Sequence, residues 1–265
     1  MSKNKSQSGF AILEAIIILI IIVAIGAVGY FVFAKNKKTE QSLTGSNSAQ
    51  VAEKSSAKIK HLGINLEDYD PSTDKAGDLL FTKQKFSSNI QMIFMPYGYV
   101  ISGENTSTGV SKGNPQPTFI APLGTKVHAI VDGKVFDVPT LWSKDFSVQI
   151  QPEGSDLIFE MEHVINVKIK KGDTVKAGDV IAEVSDYDAH NYAGQGLVEF
   201  GVLKGGNPPS HLCLFDYLDD SIKEDTFSKI TALMKSWEDY RGDSTIYDES
   251  KVVVPGCYSR DPIEG

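Results

Sequence analysis

Cysteine is scarce in this sequence: Cys213 and Cys257 are the only two in 265 residues. Without a Cys-x-x-Cys pair, a thiolate zinc site and a thioredoxin-type redox motif are both excluded. Two readings of the pair stay open. Outside the cytoplasm they can close a disulfide that ties the C-terminal tail to the body; otherwise they are two free thiols, because sequence does not give the distance between them. Basic charge is also in short supply, with 26 Lys and Arg against 34 Asp and Glu and a formal net charge of −8. That balance argues against nucleic acid as a partner, since phosphate binding relies on clustered cations that displace counterions. It argues equally against electrostatic attachment of the soluble part to anionic lipid, so any hold on a membrane must come from apolar insertion. Disorder is not implied, because 41% apolar and 23% charged residues are values of ordinary globular chains.

The apolar insertion is at hand. From Phe10 to Ala34 the chain reads FAILEAIIILIIIVAIGAVGYFVFA, with Glu14 as its sole charge. About 20 such residues suffice to cross a bilayer as a helix, and the run lacks the polar face that a buried core helix of a soluble domain shows. The expectation is a single transmembrane helix. Flanking charge orients it poorly, with Lys3 and Lys5 on one side and Lys35, Lys37 and Lys38 on the other. No small-x-small cleavage site follows a short apolar core, which disfavours a secretory signal peptide.

The residues before the helix say more. Lys5-Ser6-Gln7-Ser8-Gly9-Phe10, followed by Glu14, resembles the prepilin signal of type IV pilins and type II secretion pseudopilins. That resemblance implies cleavage after Gly9 on the cytoplasmic side, Phe10 as the methylated first residue, and pairing of Glu14 with a neighbouring pilin-like subunit's N-terminal amine. A carboxylate inside an apolar run needs such a partner. It also implies an extracytoplasmic body on a single-pass anchor in the cytoplasmic membrane. The alternative is a plain signal anchor in which Gly9 and Glu14 are incidental.

Beyond the anchor, residues 35–60 are polar and aperiodic and predict a flexible stalk. Residues 61–113 read as an irregular, β-containing lead-in, with a strand at Asn89–Met95 and a polar loop over Gly103–Asn114. From Pro117 the apolar runs Lys126–Ile130, Gly133–Val138, Phe146–Ile150 and Leu157–Met161 alternate with Gly, Pro and Asp turns. Short strands at that spacing predict a mainly β fold, an antiparallel sandwich or barrel in place of βαβ units. Asp219–Tyr240 then predicts an amphipathic helix, striped by Ile222, Phe227, Ile230, Leu233, Met234 and Trp237 and capped by Asp219 or Asp220. The stripe reads most simply as a face packed on the β body, with a partner-binding helix as the alternative.

Two segments of the β region resemble one family. Ala121-Pro-Leu-Gly-Thr-Lys-Val-His-Ala-Ile-Val-Asp-Gly-Lys-Val135 is similar to the entry strands of lysostaphin/LytM-type zinc endopeptidases, which cut peptide cross-links in peptidoglycan. Phe159-Glu-Met-Glu-His163, followed by the Gly-Asp repeats of Val167–Ala182, is similar to the same family's second half, a duplicated hybrid motif shared with lipoyl-type carrier domains. No Met-Lys or Asp-Lys hairpin is present, so attachment of a carrier cofactor is not expected. The resemblance spans residues 114–216 and leaves 217–265 as helix and tail.

Function rests on the site, because one fold carries many activities. The family's zinc is held by a His and an Asp four residues apart and by the last His of a His-x-His-Phe strand. Counted onto this sequence, these positions are Asn114, Thr118 and Glu199, and the catalytic His that begins the last motif is Leu197. His163 stands where the family has its other catalytic His, either as a relic that touches substrate or as an ordinary strand-end residue. Neutral Asn and Thr are poor zinc ligands, and Glu199 alone makes a weak site. His61, His128, His190 and His211 show no His-x-x-x-His spacing; His128 reads as a packed or edge residue. His190, with Asp186 or Asp188, is the one route by which Glu199 and His163 regain a metal site. The expectation is therefore a domain without metal or other cofactor that has lost catalysis, binding peptidoglycan or envelope proteins in envelope assembly near a pilus-like apparatus. Two alternatives stay open: an active zinc endopeptidase with a reorganised site, and a minor pilin-like structural subunit.

Overall fold

The computed structural model describes residues 57–86 and 90–264. A small three-stranded meander comes first, β1 (Tyr69–Asp70), β2 (Lys75–Ala76) and β3 (Leu79–Leu80). After it come β4 (Phe94–Met95) and the hairpin β5 (Val100–Ile101) and β6 (Lys112–Gly113). The main sheet is built from β7 (Thr118–Ala121), β8 (Lys126–His128), β9 (Gly133–Asp137), β10 (Phe146–Gln151) and β11 (Leu157–Ile165). It continues with β12 (Thr174–Val175), β13 (Val180–Val184), β14 (Gly196–Lys204) and β15 (Ser210–His211). Helix α1 (Asp220–Arg241) and β16 (Ile263–Glu264) close the chain.

Eleven strands share one sheet, in the order β12-β9-β10-β11-β14-β15-β16, with β7 also on β14, β4 on β7, and β13 bridging β11 and β8. Its named pairings are antiparallel, as short strands separated by tight turns favour. The backbone of the site is the pair β11–β14, nine residues each. They run in register from Leu157↔Lys204 to Glu162↔Glu199. Because side chains alternate across a strand, one face carries Phe159, Met161, Val198, Phe200 and Val202, all fully buried. Phe119 of β7 joins them, its ring 5.8 Å from Phe200 and 4.7 Å from Phe94. The other face carries Glu160, Glu162, Glu199 and Thr118.

Helix α1 starts one residue later than the sequence predicts. The Asp219 carboxylate accepts from the Ser221 backbone N–H as N-cap, and Gly242 ends the helix in the left-handed conformation (φ 69°). Ile230, Leu233, Met234 and Trp237 are buried, and the Trp237 indole N–H donates to the Gln91 carbonyl at 2.9 Å. The stripe is thus a packing face, as the simpler reading holds.

Some expectations need correction. Of the predicted strand Asn89–Met95, only Phe94–Met95 forms a ladder, against β7; Asn89 lies outside the described residues. Just before β4 the Ile93 carbonyl accepts from the Ile120 N–H of β7 at 2.9 Å, whereas the Gln91 carbonyl serves Trp237. Residues 57–60, predicted as stalk, belong to the body: Ile59 is fully buried, accepts from Asp219 N–H and donates to the Tyr217 carbonyl, both at 2.8 Å. The predicted lead-in 61–113 is part of the core, with Ile64, Leu79, Phe81, Ile93 and Phe94 buried in it. Of the two readings of the cysteines, the structure selects the disulfide: Cys213 and Cys257 are bonded, with Cα atoms 6.2 Å apart. Tyr97 adds to that tether, its hydroxyl donating to the carbonyls of His211 (2.9 Å) and Asp261 (2.7 Å).

Among the described residues, no helix is long and apolar enough to cross a membrane. Phe10–Ala34, with Gly9 and Glu14, lies outside them.

A candidate binding site on the polar face of the sheet

Strands β7, β14 and β11 lie side by side, and their register sets Thr118 opposite Glu199 and Glu199 opposite Glu162. These three side chains therefore form one row on the polar face. In the next row Glu160 stands between Gly201 of β14 and Gln149 of β10.

The three positions that the sequence marks as former metal ligands do converge. Asn114 is 2% exposed, and its side-chain amide lies 3.3 Å from the carbonyls of Met95 and Pro96 and 2.5 Å from that of Gln116. Three carbonyl oxygens around one atom fix it as the NH2 donor, not the oxygen. The same nitrogen is 3.3 Å from the Thr118 hydroxyl, which in turn is 3.4 Å from Glu199 Oε1. Burial pushes the Glu199 carboxyl up to about 7; Glu162 adds to that shift, while His163 and the Thr118 hydroxyl oppose it. A three-ligand zinc site needs lone pairs directed at one point. Here Asn114 presents donor hydrogens, Thr118 a neutral hydroxyl, and Glu199 the single carboxylate, so these residues do not fit zinc.

His163 is held differently. Its backbone is left-handed (φ 56°), next to a register shift in the β10–β11 ladder between Phe146 and Val148. Such a bulge re-aims a side chain that regular alternation would send elsewhere. Nδ1 meets Asp145 Oδ2 at 3.0 Å, and the 3%-exposed Asp145 also accepts the Ser143 hydroxyl. Burial disfavours the imidazolium, but the Asp145 hydrogen bond and the charges of Glu199, Asp145 and Glu162 outweigh it, so the pKa of His163 is raised. Asp145 responds in the opposite sense: burial opposes ionisation, yet hydrogen bonds from His163, Ser143 and Ser185 hold its pKa down. The imidazole stacks on Tyr187, centroids 4.2 Å apart and planes 10° apart. Trp142 then meets Tyr187 edge-on at 5.4 Å.

Deeper on the same face, Glu160 is 2% exposed and accepts from Gln116 Nε2 at 2.8 Å. Its other oxygen lies 3.4 Å from the Ser147 hydroxyl and 3.5 Å from Gln149 Nε2. Gly201 makes room for this cluster, since a Cβ there would lie 2.7 Å from Glu160 Oε1. His211 Nδ1 approaches the same oxygen to 3.7 Å. Burial raises the Glu160 pKa well above its usual range and lowers that of His211 to about 4. Both groups are driven toward neutral, so the approach is not an ion pair.

The other sequence candidates lie apart. His190, predicted as a route back to a metal site, has a side chain 80% accessible and meets Asp188 at 3.7 Å. Its side chain therefore stands in solvent. Among the described residues, no three His, Cys, Asp or Glu side chains gather as a metal could require. His128 sits half-buried on β8, its Nδ1 2.8 Å from the Gly178 carbonyl and its ring 4.7 Å from His61. Leu197, at the position that the family resemblance assigns to a catalytic His, is buried opposite Ile120. Sequence reasoning missed Asp145, Tyr187, Trp142, Gln116 and Glu160. Only Glu160 left a signal: with Glu162 in Phe-Glu-Met-Glu-His it alternates with apolar residues, which puts both carboxyls on one strand face.

Comparison with known proteins bears on the same segment. Residues 117–210 match the model of Peptidase family M23. Among solved structures, lysostaphin in solution is 20% identical, with a TM-score of 0.34 over 42% of this chain and 43% of lysostaphin. The chain thus spans less than half of lysostaphin's length. The catalytic domain of the prophage-encoded M23 protein EnpA from Enterococcus faecalis is 24% identical, with a TM-score of 0.32 over 38% of this chain and 75% of that domain. The SpoIIQ–SpoIIIAH pore-forming complex contributes a chain 15% identical, with a TM-score of 0.40 over 65% of this chain and 98% of that one. A search of curated proteins finds no match. Residues 117–210 therefore carry an M23 peptidase-like β domain, set within a longer chain.

Proposed function

We propose that this protein is a membrane-tethered, catalytically degenerate relative of M23 peptidases that binds peptidoglycan or an envelope protein without metal. The observation that carries this reading is the Asn114–Thr118–Glu199 chain of contacts. Residues at the former ligand positions serve one another, and Leu197 cannot move a proton. The polar face nevertheless keeps donors and acceptors for an extended peptide. The Cys213–Cys257 bond supports an oxidising, extracytoplasmic location, and the apolar run Phe10–Ala34 supports the tether.

The test uses the full-length chain in detergent. Co-sedimentation with insoluble peptidoglycan, with no soluble peptides released on prolonged incubation, is the expected result. Release of peptides that stops on His163→Ala or Glu199→Ala overturns it. That outcome selects the second reading, a reorganised endopeptidase, which the Asp145–His163 pair favours because an oriented imidazole is a competent general base. The prepilin-type processing is tested separately: in cells with a prepilin peptidase, Gly9→Val should abolish a mobility shift of the chain. An unchanged pattern removes that part of the proposal.

A further inference from the structure

We propose that a lysine-lined groove at the turn of the β10–β11 hairpin binds the phosphate monoester of a small sugar or polyol. The groove reaches Gln151 and Ser155 at that turn, roughly 20 Å along β11 from His163. It shares no residue with the polar face described above, so the two sites stand or fall separately.

The groove has a volume of about 850 Å³, within the range of small-molecule sites. Three segments supply its four lysines. Lys58 and Lys60 flank the fully buried Ile59, whose backbone bonds to Tyr217 and Asp219 hold the stretch extended. Alternation along it sends both lysines away from the core. Lys134 of β9 lies opposite Thr174 of β12 and Gln151 of β10, so these three share one face of the sheet. Lys176 follows just after β12 and lines the same groove.

The carboxylates of the lining do not match these cations one for one. Asp132 pairs with Lys60 at 2.8 Å and accepts from the Ala177 N–H at 2.9 Å. Asp219 is turned to the start of α1, where it accepts from the Ser221 N–H and hydroxyl. Glu153 is the third carboxylate on the lining. Among the described residues, Lys58, Lys134 and Lys176 take part in no ion pair. The groove is therefore cationic on a chain whose net charge is −8.

That contrast selects the ligand. Salt confines the attraction to about 8 Å. A small anion inside the groove senses the lysines, whereas a long polyanion also meets the acidic surface beyond them. A phosphate monoester carries nearly two negative charges and three acceptor oxygens, which suits lysine point charges. The Thr174 and Ser155 hydroxyls add neutral donors on the lining. Ser155 Oγ accepts from the Leu157 N–H, which leaves its own hydrogen free to donate. A single carboxylate brings about half the charge, and the sugar or polyol fills space that phosphate alone leaves open.

The test is calorimetric titration of the full-length protein in detergent with glycerol 3-phosphate, and in parallel with glycerol, acetate and a single-stranded oligodeoxynucleotide. One glycerol 3-phosphate should bind per chain, more tightly than any of the other three. Lys134→Gln and Lys176→Gln should each weaken it about fivefold, whereas Glu153→Gln should strengthen it about twofold. Lys235→Gln, an exposed lysine of α1 paired with Asp239, should change nothing. Melting temperatures equal to that of the parent show that each variant folds. The proposal is overturned by absence of saturable binding, by acetate or the oligonucleotide binding as tightly as the ester, or by indifference to Lys134→Gln and Lys176→Gln. A loss in Lys235→Gln as large as theirs also overturns it, because general charge attraction then explains the binding.

Discussion

The two faces of β7, β14 and β11 are made by alternate residues of the same strands, yet they follow different rules. On one, Phe119, Val198, Phe200, Phe159 and Met161 are fully buried and fixed by packing. On the other, Glu199 meets the Thr118 hydroxyl and Glu160 accepts from Gln116, and burial raises the pKa of both carboxyls. The apolar face needs volume and shape, so it preserves the peptidase-like architecture. The polar face needs only that each buried polar atom find a partner, and that condition can be met by a set of residues with no affinity for zinc. Different side chains secure the two faces, so a substitution on one need not disturb the other.

The largest way to break this comparison is on the apolar side. Phe200→Ala should cost about 3–5 kcal/mol through lost transfer energy and a cavity, read by urea unfolding. A smaller loss would mean that this face is less tightly packed than its burial indicates. Removing the tether comes next: Cys213→Ser with Cys257→Ser reopens a loop of 44 residues, with an expected loss of about 2–4 kcal/mol. A melting temperature that does not respond to reductant would argue that the tail is held by Tyr97 and its neighbours alone.

The polar face should respond in the opposite direction. The Glu199 pKa is about 7 in the folded protein against a usual 4.5, so between those pH values the native state binds more protons than the unfolded one. Stability from this group is complete below about pH 4.5 and is lost as pH rises through 7. Glu199→Gln should therefore stabilise the fold at pH 8, by on the order of 1 kcal/mol after allowance for its partial exposure, and have little effect at pH 4. Destabilisation at pH 8 would show that the ionised carboxylate is needed for structure. The smallest effect belongs to His190→Ala, within about 0.5 kcal/mol in stability and without change in peptide binding, because that side chain stands in solvent.

What the sequence disclosed follows the same division. The stripe of α1 and its Asp219 cap were legible because periodicity and capping are local properties. The convergence of Asn114, Thr118 and Glu199 was legible only through the family resemblance, which supplied a register that no local pattern holds. Asp145 and His163 were not linked in advance, since they are brought together by a bulge and a left-handed residue at 163. The contact of Trp142 with Tyr187 was equally hidden: the two rings come from separate loops, and loop geometry is the part of a fold that alternation does not encode. The disulfide stayed open for a related reason, because spacing along the chain says little about distance across it.

The central proposal is that Asn114, Thr118 and Glu199 contact one another and do not hold zinc. It is tested most directly by equilibrium dialysis of the full-length protein against zinc, followed by elemental analysis. The account predicts zinc far below one per chain, unchanged by Asn114→Ala or Glu199→Gln. One zinc per chain, lost in either variant, would contradict it.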